Sequence, residues 1–273
     1  MNKQLDIEWA NQQSILYSFG HFLGRGRNGS VFFGKNKENN ENFALKVVDR
    51  SMCENELNIL KNLPKHVNIV QMKDHFFLDH FCIFVLELCD YTLKKEIEEN
   101  NGISEENVLI FFKNIKEGLF ALINSNIFHR DIKAENILIS CDKDGNKILK
   151  LGDFGNATFM NSLDQKFRIF AGTSYYISPE MWEYGGCEYN SKSDLYSCGV
   201  LIYEMLNGSP PFGNIKKILQ IKKLCMKGIT ESEIDHLSFS KEGKEMLKGL
   251  LSKIEKRISW DEFFDSKWFK QKK

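Results

Sequence analysis

Hydrophobic and polar positions change rhythm along the chain. From Tyr17 to Val48, short runs rich in Phe, Val and Ile are broken by Gly and by the polar stretch 35–42, which predicts consecutive antiparallel strands joined by turns. One helix interrupts them: Leu57, Leu60 and Leu63 recur at helical spacing, Ser51 stands where a cap would, and Pro64 stops the run. Strands resume over Ile69 to Asp74 and Phe81 to Leu88. Beyond Cys89 the apolar residues of Val108 to Ile123 repeat at three and four, with Ser104, Glu105 and Glu106 as cap and first-turn acids. Asp194 to Leu206 is apolar nearly all round, which predicts a helix buried in the middle of its lobe. Further helices are expected at Asn214 to Lys223, Lys241 to Leu251 and Trp260 to Phe264. No internal repeat or long Pro/Ser linker separates the two textures. They predict one α+β unit: a small, mainly antiparallel β lobe over 17–88 with one key helix, a larger helical lobe over 89–269, and a short hinge near Cys89.

Composition narrows the class. With 42% hydrophobic residues and 22 Phe the chain has material for a sizeable core. Lys plus Arg equals Asp plus Glu at 37 each, so net charge gives no reason to expect nucleic acid or an anionic membrane as the main partner. Local basic patches are not excluded by this sum. The seven Cys are odd in number, scattered and never spaced Cys-x-x-Cys, which predicts a reducing, cytoplasmic setting and no zinc ribbon. The start lacks the apolar core of a signal peptide, and Phe81 to Leu86 is far short of a spanning helix, so a soluble protein without a membrane span is expected.

Three clusters carry candidate chemistry. Gly24-Arg25-Gly26-Arg27-Asn28-Gly29-Ser30-Val31 places three glycines where backbone can approach a ligand, and Val31-Phe32-Phe33 continues as a strand. A dinucleotide fingerprint would need a helix there, so the loop joins two strands; alone it reads equally well as a plain hairpin turn. Lys46 follows in the apolar run Ala44-Leu45-Lys46-Val47. Taken alone it is an edge lysine reaching water, but a buried ammonium needs an anion, and Glu56 is the better candidate than Glu54. The third cluster is more specific: Phe128-His129-Arg130-Asp131-Ile132-Lys133-Ala134-Glu135-Asn136-Ile137-Leu138, then Leu151-Gly152-Asp153-Phe154-Gly155. Two carboxylates, an amide and a lysine near a Gly-rich loop suit Mg²⁺ and phosphate oxygens.

Together these motifs, in this order, resemble a eukaryotic protein kinase over about Tyr17 to Phe269. The resemblance implies the bilobal protein kinase fold, a single kinase domain over 1–273, and transfer of the γ-phosphoryl group of ATP to protein substrates. It implies that Leu23, Gly24, Arg25, Gly26, Gly29 and Val31 cover ATP, that Lys46 holds its phosphates and pairs with Glu56, and that Leu86 is the gatekeeper. Backbone groups of Glu87 and Cys89 should bond the adenine, which Val31, Ala44 and Leu138 should sandwich. Asp131 looks like the catalytic base, Lys133 like the residue that steadies the γ-phosphate, and Asn136 and Asp153 like the Mg²⁺ ligands. Leu60, Met72, His129 and Phe154 should stack between the lobes, Asp194 should brace the catalytic loop, and Glu180 should pair with Arg257. Lys133 and Gly172-Thr173 are similar to the serine/threonine class. The tail from Arg257 to Phe269 is similar to autophagy-initiating kinases and, more loosely, to calcium/calmodulin-dependent ones.

Departures from the family pattern bear on control. Ala134 replaces a common Pro, Ser178 replaces a common Ala, and Asn156 stands where an aromatic or β-branched residue is usual. Ile169 occupies the place four residues before Thr173 where many relatives are phosphorylated, and no hydroxyl lies between Ser162 and Thr173. The segment is then expected to be held by packing of Phe167, Ile169 and Phe170, by a regulatory protein partner, or by phosphate at Ser162 or Ser174. A pseudokinase scaffold and a small-molecule kinase are the competing readings. The first is disfavoured by the presence of Lys46, Glu56, Asp131, Asn136 and Asp153, the second by the peptide-receiving segment Thr173 to Glu180.

Overall fold

The computed structural model describes residues 5–26, 29–168, 172–182 and 188–271. It opens with a helix that the periodicity does not predict, α1 (Ile7–Gln13), whose first turn is capped by the Asp6 carboxylate accepting from the backbone N–H of Glu8 and Trp9. Strands β1 (Tyr17–Gly26), β2 (Gly29–Asn36), β3 (Asn42–Asp49), β4 (Met72–Leu78) and β5 (Phe81–Glu87) form an antiparallel sheet in the order β1-β2-β3-β5-β4. Side chains alternate across it. Leu45, Val47, Ile83 and Val85 point to one face, where Ala10 of α1 and Phe19 join their core. Val48, Cys82 and Phe84 point to the other, into a second core shared with α2 (Glu54–Asn62) and the helices that follow. Lys46 lies one position from both Leu45 and Val47, so the period of two sends it toward α2.

The predicted cap of α2 is corrected. Ser51 lies inside a separate 3-10 turn, Arg50–Met52, because the Asp49 carboxylate takes both its N–H at 2.9 Å and its hydroxyl at 2.5 Å. The α-helix starts only at Glu54. The strand expected from Ile69 begins at Met72, with Ile69 itself bridging to Leu151.

The chain crosses at 88–90 into β6 (Tyr91–Thr92), α3 (Leu93–Asn100) and the long α4 (Glu105–Asn124). Short strands β7 (Ile127–Phe128), β8 (Ile137–Cys141), β9 (Lys147–Leu151) and β10 (Thr158–Phe159) bracket the motif-bearing loops. Next comes α5 (Lys192–Asn207), buried on almost every side as its composition predicts. Helices α6 (Ile218–Lys227), α7 (Glu231–Asp235), α8 (Lys241–Leu250) and α9 (Trp260–Phe264) complete the helical part. Helix α6 starts four residues later than expected: residues 211–214 form turns, and the carbonyl of Ile215 accepts from the Tyr175 hydroxyl at 3.0 Å instead of entering a helix.

Candidate active site

Strand β3 and helix α2 bring Lys46 and Glu56 together inside the protein, with Nζ 2.5 Å from Oε1 and both residues buried. A second carboxylate reaches the same ammonium from the far lobe, Asp153 Oδ1 at 2.7 Å. Burial alone would lower the Lys46 pKa, but the charges of Glu56 and Asp153 outweigh it and push it up, so Lys46 stays a cation. Burial would likewise raise Asp153, yet Lys46 beside it holds the carboxyl below its usual range. Asp153 has φ of 54°, a left-handed backbone that costs an ordinary residue free energy and aims its side chain at Lys46.

The loop after β7 is fixed from below by α5. The buried Asp194 carboxylate accepts the backbone N–H of both His129 and Arg130 at 3.0 Å. Burial pushes Asp194 up to about 7 against the pull of those donors. Its grip holds Arg130 at φ of 65°. His129 bonds the carbonyl of Gly152 at 3.1 Å, and its ring lies 5.1 Å from that of Phe154. Leu60 is buried in the same core and Met72 packs against it.

On this platform four side chains converge. The Asp131 carboxylate accepts the Thr173 hydroxyl at 2.9 Å and lies 3.0 Å from Lys133 Nζ. Lys133 also donates to that hydroxyl at 2.7 Å. Asn136 spends its amide N–H groups on the Asp131 carbonyl at 2.9 Å and on Oδ2 at 3.1 Å, which leaves its amide oxygen for another partner. Asn156 adds a donor to Oδ2 at 3.3 Å, a contact that sequence reasoning missed: it sits 25 positions from Asp131 and no local pattern links the two.

The remaining predicted residues surround this centre. Val31, Ala44, Leu86, Cys89 and Leu138 are each half-buried, and Leu86 pairs with Ala44 across the strands. Glu87 N–H already donates to the Gln71 carbonyl at 3.0 Å, so a base can be met only by its carbonyl. Its side chain is held elsewhere, accepting from Gln71 N–H at 2.8 Å and from Lys150 at 3.1 Å. In the Gly-rich loop Leu23 is exposed, and Arg25 donates to Ser30 Oγ at 3.3 Å. A Cβ on Gly24 would meet nothing within 4 Å, while one on Gly26 would lie 3.6 Å from Asp153 Oδ2, which places the loop directly over that acid. Arg27 and Asn28 lie outside the described residues.

Glu180 and Arg257 form the expected buried pair, bidentate at 2.7 and 2.9 Å. Glu54, the rejected alternative to Glu56, is exposed. Arg130 donates Nε to the Asn156 carbonyl at 2.6 Å and lies 6.0 Å from the Phe167 ring, which itself packs on Phe128 and Tyr189. Ile169, Phe170 and Ala171 lie outside the described residues. Among the described residues no helix is long and apolar enough to cross a membrane.

Comparison with known proteins agrees with this geometry. The family model for the protein kinase domain matches residues 17–269. The chain is 34% identical over 266 residues to the serine/threonine-protein kinase atg1 of Dictyostelium discoideum, covering 90% of this chain and 38% of that protein. It is 33% identical over 261 residues to calcium-dependent protein kinase 3 of Plasmodium berghei (strain Anka), covering 92% and 46%. Against cell division control protein 7 of Schizosaccharomyces pombe it is 35% identical over 211 residues, covering 74% and 19%. The chain thus spans less than half the length of each of these relatives. On the family match and these likenesses, the chain belongs to the protein kinase family.

Proposed function

We propose that the chain is an ATP-dependent protein serine/threonine kinase, and that 1–273 is one catalytic domain of two lobes. The observation that carries the reading is the convergence of Lys133, Thr173 and Asn136 on Asp131, opposite the Lys46–Asp153 pair. Phosphoryl transfer asks a protein mainly to align groups and neutralise charge. Asp131 is placed to accept the hydroxyl proton of a serine or threonine brought beside its carboxylate, which the Thr173 hydroxyl steadies at 2.9 Å. Lys133, 3.0 Å from the same carboxylate, supplies positive charge.

The donor set fits a nucleotide with Mg²⁺. Asp153 offers a carboxylate and Asn136 an amide oxygen. Two protein oxygens suit a hard cation that keeps waters and phosphate oxygens as its other ligands. Bound ATP with Mg²⁺ would supply the phosphoryl group; Lys46 would hold the phosphates, and Val31, Ala44, Leu86 and Leu138 would hold the base. The serine/threonine reading draws support from the likeness to the serine/threonine-protein kinase atg1 and from Thr173. A cytoplasmic setting accords with Cys53, Cys82 and Cys225, which are buried as free thiols. Control by a regulatory protein partner, or by phosphate on the exposed Ser162, is consistent with Arg130 being bonded to Asn156.

Titration calorimetry with ATP, with and without Mg²⁺, tests the nucleotide part: uptake should strengthen with the metal and fall in Lys46→Met. No uptake under either condition would remove the basis of this reading.

A further inference from the structure

Asn156 touches the catalytic loop at two successive residues. Its side-chain nitrogen lies 3.3 Å from Oδ2 of Asp131, and its backbone carbonyl accepts Arg130 Nε at 2.6 Å. An amide oxygen turned to the same place would face a carboxylate oxygen, so charge selects the nitrogen.

The backbone that carries Asn156 has little room to turn. Ala157 is fully buried, and its N–H donates to the Phe154 carbonyl at 3.0 Å. The Ala157 carbonyl accepts Nδ2 of Asn55 on α2, also at 3.0 Å, across 102 positions of sequence. Thr158 then pairs with Phe128, just ahead of His129. With the chain fixed on these sides, the fold itself aims the Asn156 side chain at Asp131.

The donors on Asp131 are unequally shared. Oδ1 receives the Thr173 hydroxyl at 2.9 Å. Oδ2 receives Lys133 Nζ at 3.0 Å, Asn136 at 3.1 Å and Asn156 at 3.3 Å. A carboxylate has about two lone pairs on each oxygen, so Oδ2 is filled while Oδ1 keeps a place for an incoming hydroxyl. Two donors on Oδ2 have other duties in the kinase reading: Lys133 serves the phosphate, and Asn136 offers its oxygen to a metal. The Asn156 amide nitrogen has no second acceptor among the described residues.

We propose that Asn156 is a positioning residue for phosphoryl transfer: its amide holds Oδ2 and so turns Oδ1 of Asp131 toward the acceptor hydroxyl. The proposal rests on the kinase reading and adds a residue to its machinery. A base held in one orientation raises the rate of the chemical step and leaves substrate binding alone.

The test uses the whole chain with dephosphorylated casein or histone H1, whichever the parent labels better. Transfer is followed in single turnover at saturating ATP and Mg²⁺, so that product release does not mask the chemical step. Two variants separate charge from shape, and both keep the carbonyl that Arg130 uses. Asn156→Leu loses the donor; Asn156→Asp keeps the size but sets a second carboxylate against Oδ2. Transfer should fall about tenfold in Asn156→Leu, equivalent to about 1.4 kcal/mol. It should fall further in Asn156→Asp, because like charges then meet. KM for ATP and for the protein substrate should stay at the parent's values in Asn156→Leu, as should the melting temperature.

Parental transfer by Asn156→Leu overturns the proposal. So does an Asn156→Asp variant more active than Asn156→Leu, since residue 156 would then act by its shape. A rate loss in Asn156→Leu that comes with a matching rise in KM assigns the residue to substrate binding and overturns it too. Should Asn156→Leu fail to fold, Asn156→Asp carries the test alone, and parental transfer by it is the contrary result. A parent that labels neither protein overturns the kinase reading itself, and is distinguishable because the loss is present before residue 156 is altered.

Discussion

The hydroxyl of Thr173 donates to Oδ1 of Asp131 at 2.9 Å and accepts from Lys133 at 2.7 Å, joining two motifs that lie 42 positions apart. A hydrogen bond to a charged group contributes about 1.5–3 kcal/mol, so losing this one should be visible in turnover. Thr173→Val, which keeps the shape and removes the hydroxyl, is expected to lower kcat by about one to two decades and leave the melting temperature nearly unchanged. Thr173→Ser should restore most of it. Steady-state phosphorylation of a protein substrate measures both; equal kcat for Val and Thr would show that the contact is idle.

Lys46 neutralises two carboxylates at once, so its removal leaves Glu56 and Asp153 uncompensated. Breaking a buried pair by deleting one partner costs about 3–5 kcal/mol. Lys46→Met should therefore lose both stability and nucleotide affinity. The double variant Lys46→Met/Glu56→Leu should regain stability without regaining activity, which urea unfolding and a transfer assay would separate. Recovery of activity in the double variant would mean that Lys46 only fills space.

Glu180 gives a pH dependence of known sign. Burial would raise its carboxyl, but the bidentate bond and charge of Arg257 outweigh that and hold it below the ordinary 4.5. The folded form binds the proton less tightly than the unfolded chain, so this contribution is complete above pH 4.5 and is lost as pH falls through the lower folded value. Urea unfolding at neutral pH should show Glu180→Gln destabilised by about 3–5 kcal/mol. Repeated toward pH 3, it should show the gap to the parent closing. A gap that stays constant to pH 3 would contradict the assignment.

Two glycines of one loop should behave in opposite ways. A Cβ on Gly29 would meet the Val47 carbonyl oxygen at 2.3 Å and Val48 Cγ1 at 2.9 Å, whereas one on Gly24 meets nothing within 4 Å. Gly29→Ala should cost about 1–3 kcal/mol by forcing β2 off β3. Gly24→Ala should stay within about 0.5 kcal/mol of the parent. Thermal melts distinguish them, and equal shifts would mean that the strands do not approach as described.

How far the sequence reaches is clear from particular residues. The alternation around Lys46 and the leucines of α2 carry the sheet and its helix, because periodicity reports which face is buried. Lys46 and Glu56 are legible because a buried charge needs a partner, whereas Asp131 and Asp153 are legible only through the resemblance of the motif series. Helix α1 escapes: it is seven residues long and is stabilised by Asn11 bonding the Phe19 backbone at 2.6 and 3.0 Å, a tertiary contact with no periodic trace. Ser51 reads as a cap because local pattern cannot show Asp49 taking its hydroxyl. The Asn156 contact with Asp131 depends on how two loops are folded against each other, which spacing does not encode.

The central claim is that Asp131 handles the proton of a protein hydroxyl while phosphate passes to it. It is tested most directly by following radiolabel from the γ-phosphate of ATP to a protein substrate with the parent and with Asp131→Asn, which keeps size and most hydrogen bonds. General acid–base contributions of about two to four decades predict that transfer falls by that amount while ATP affinity changes little. Transfer by Asp131→Asn at the parent's rate would contradict the account.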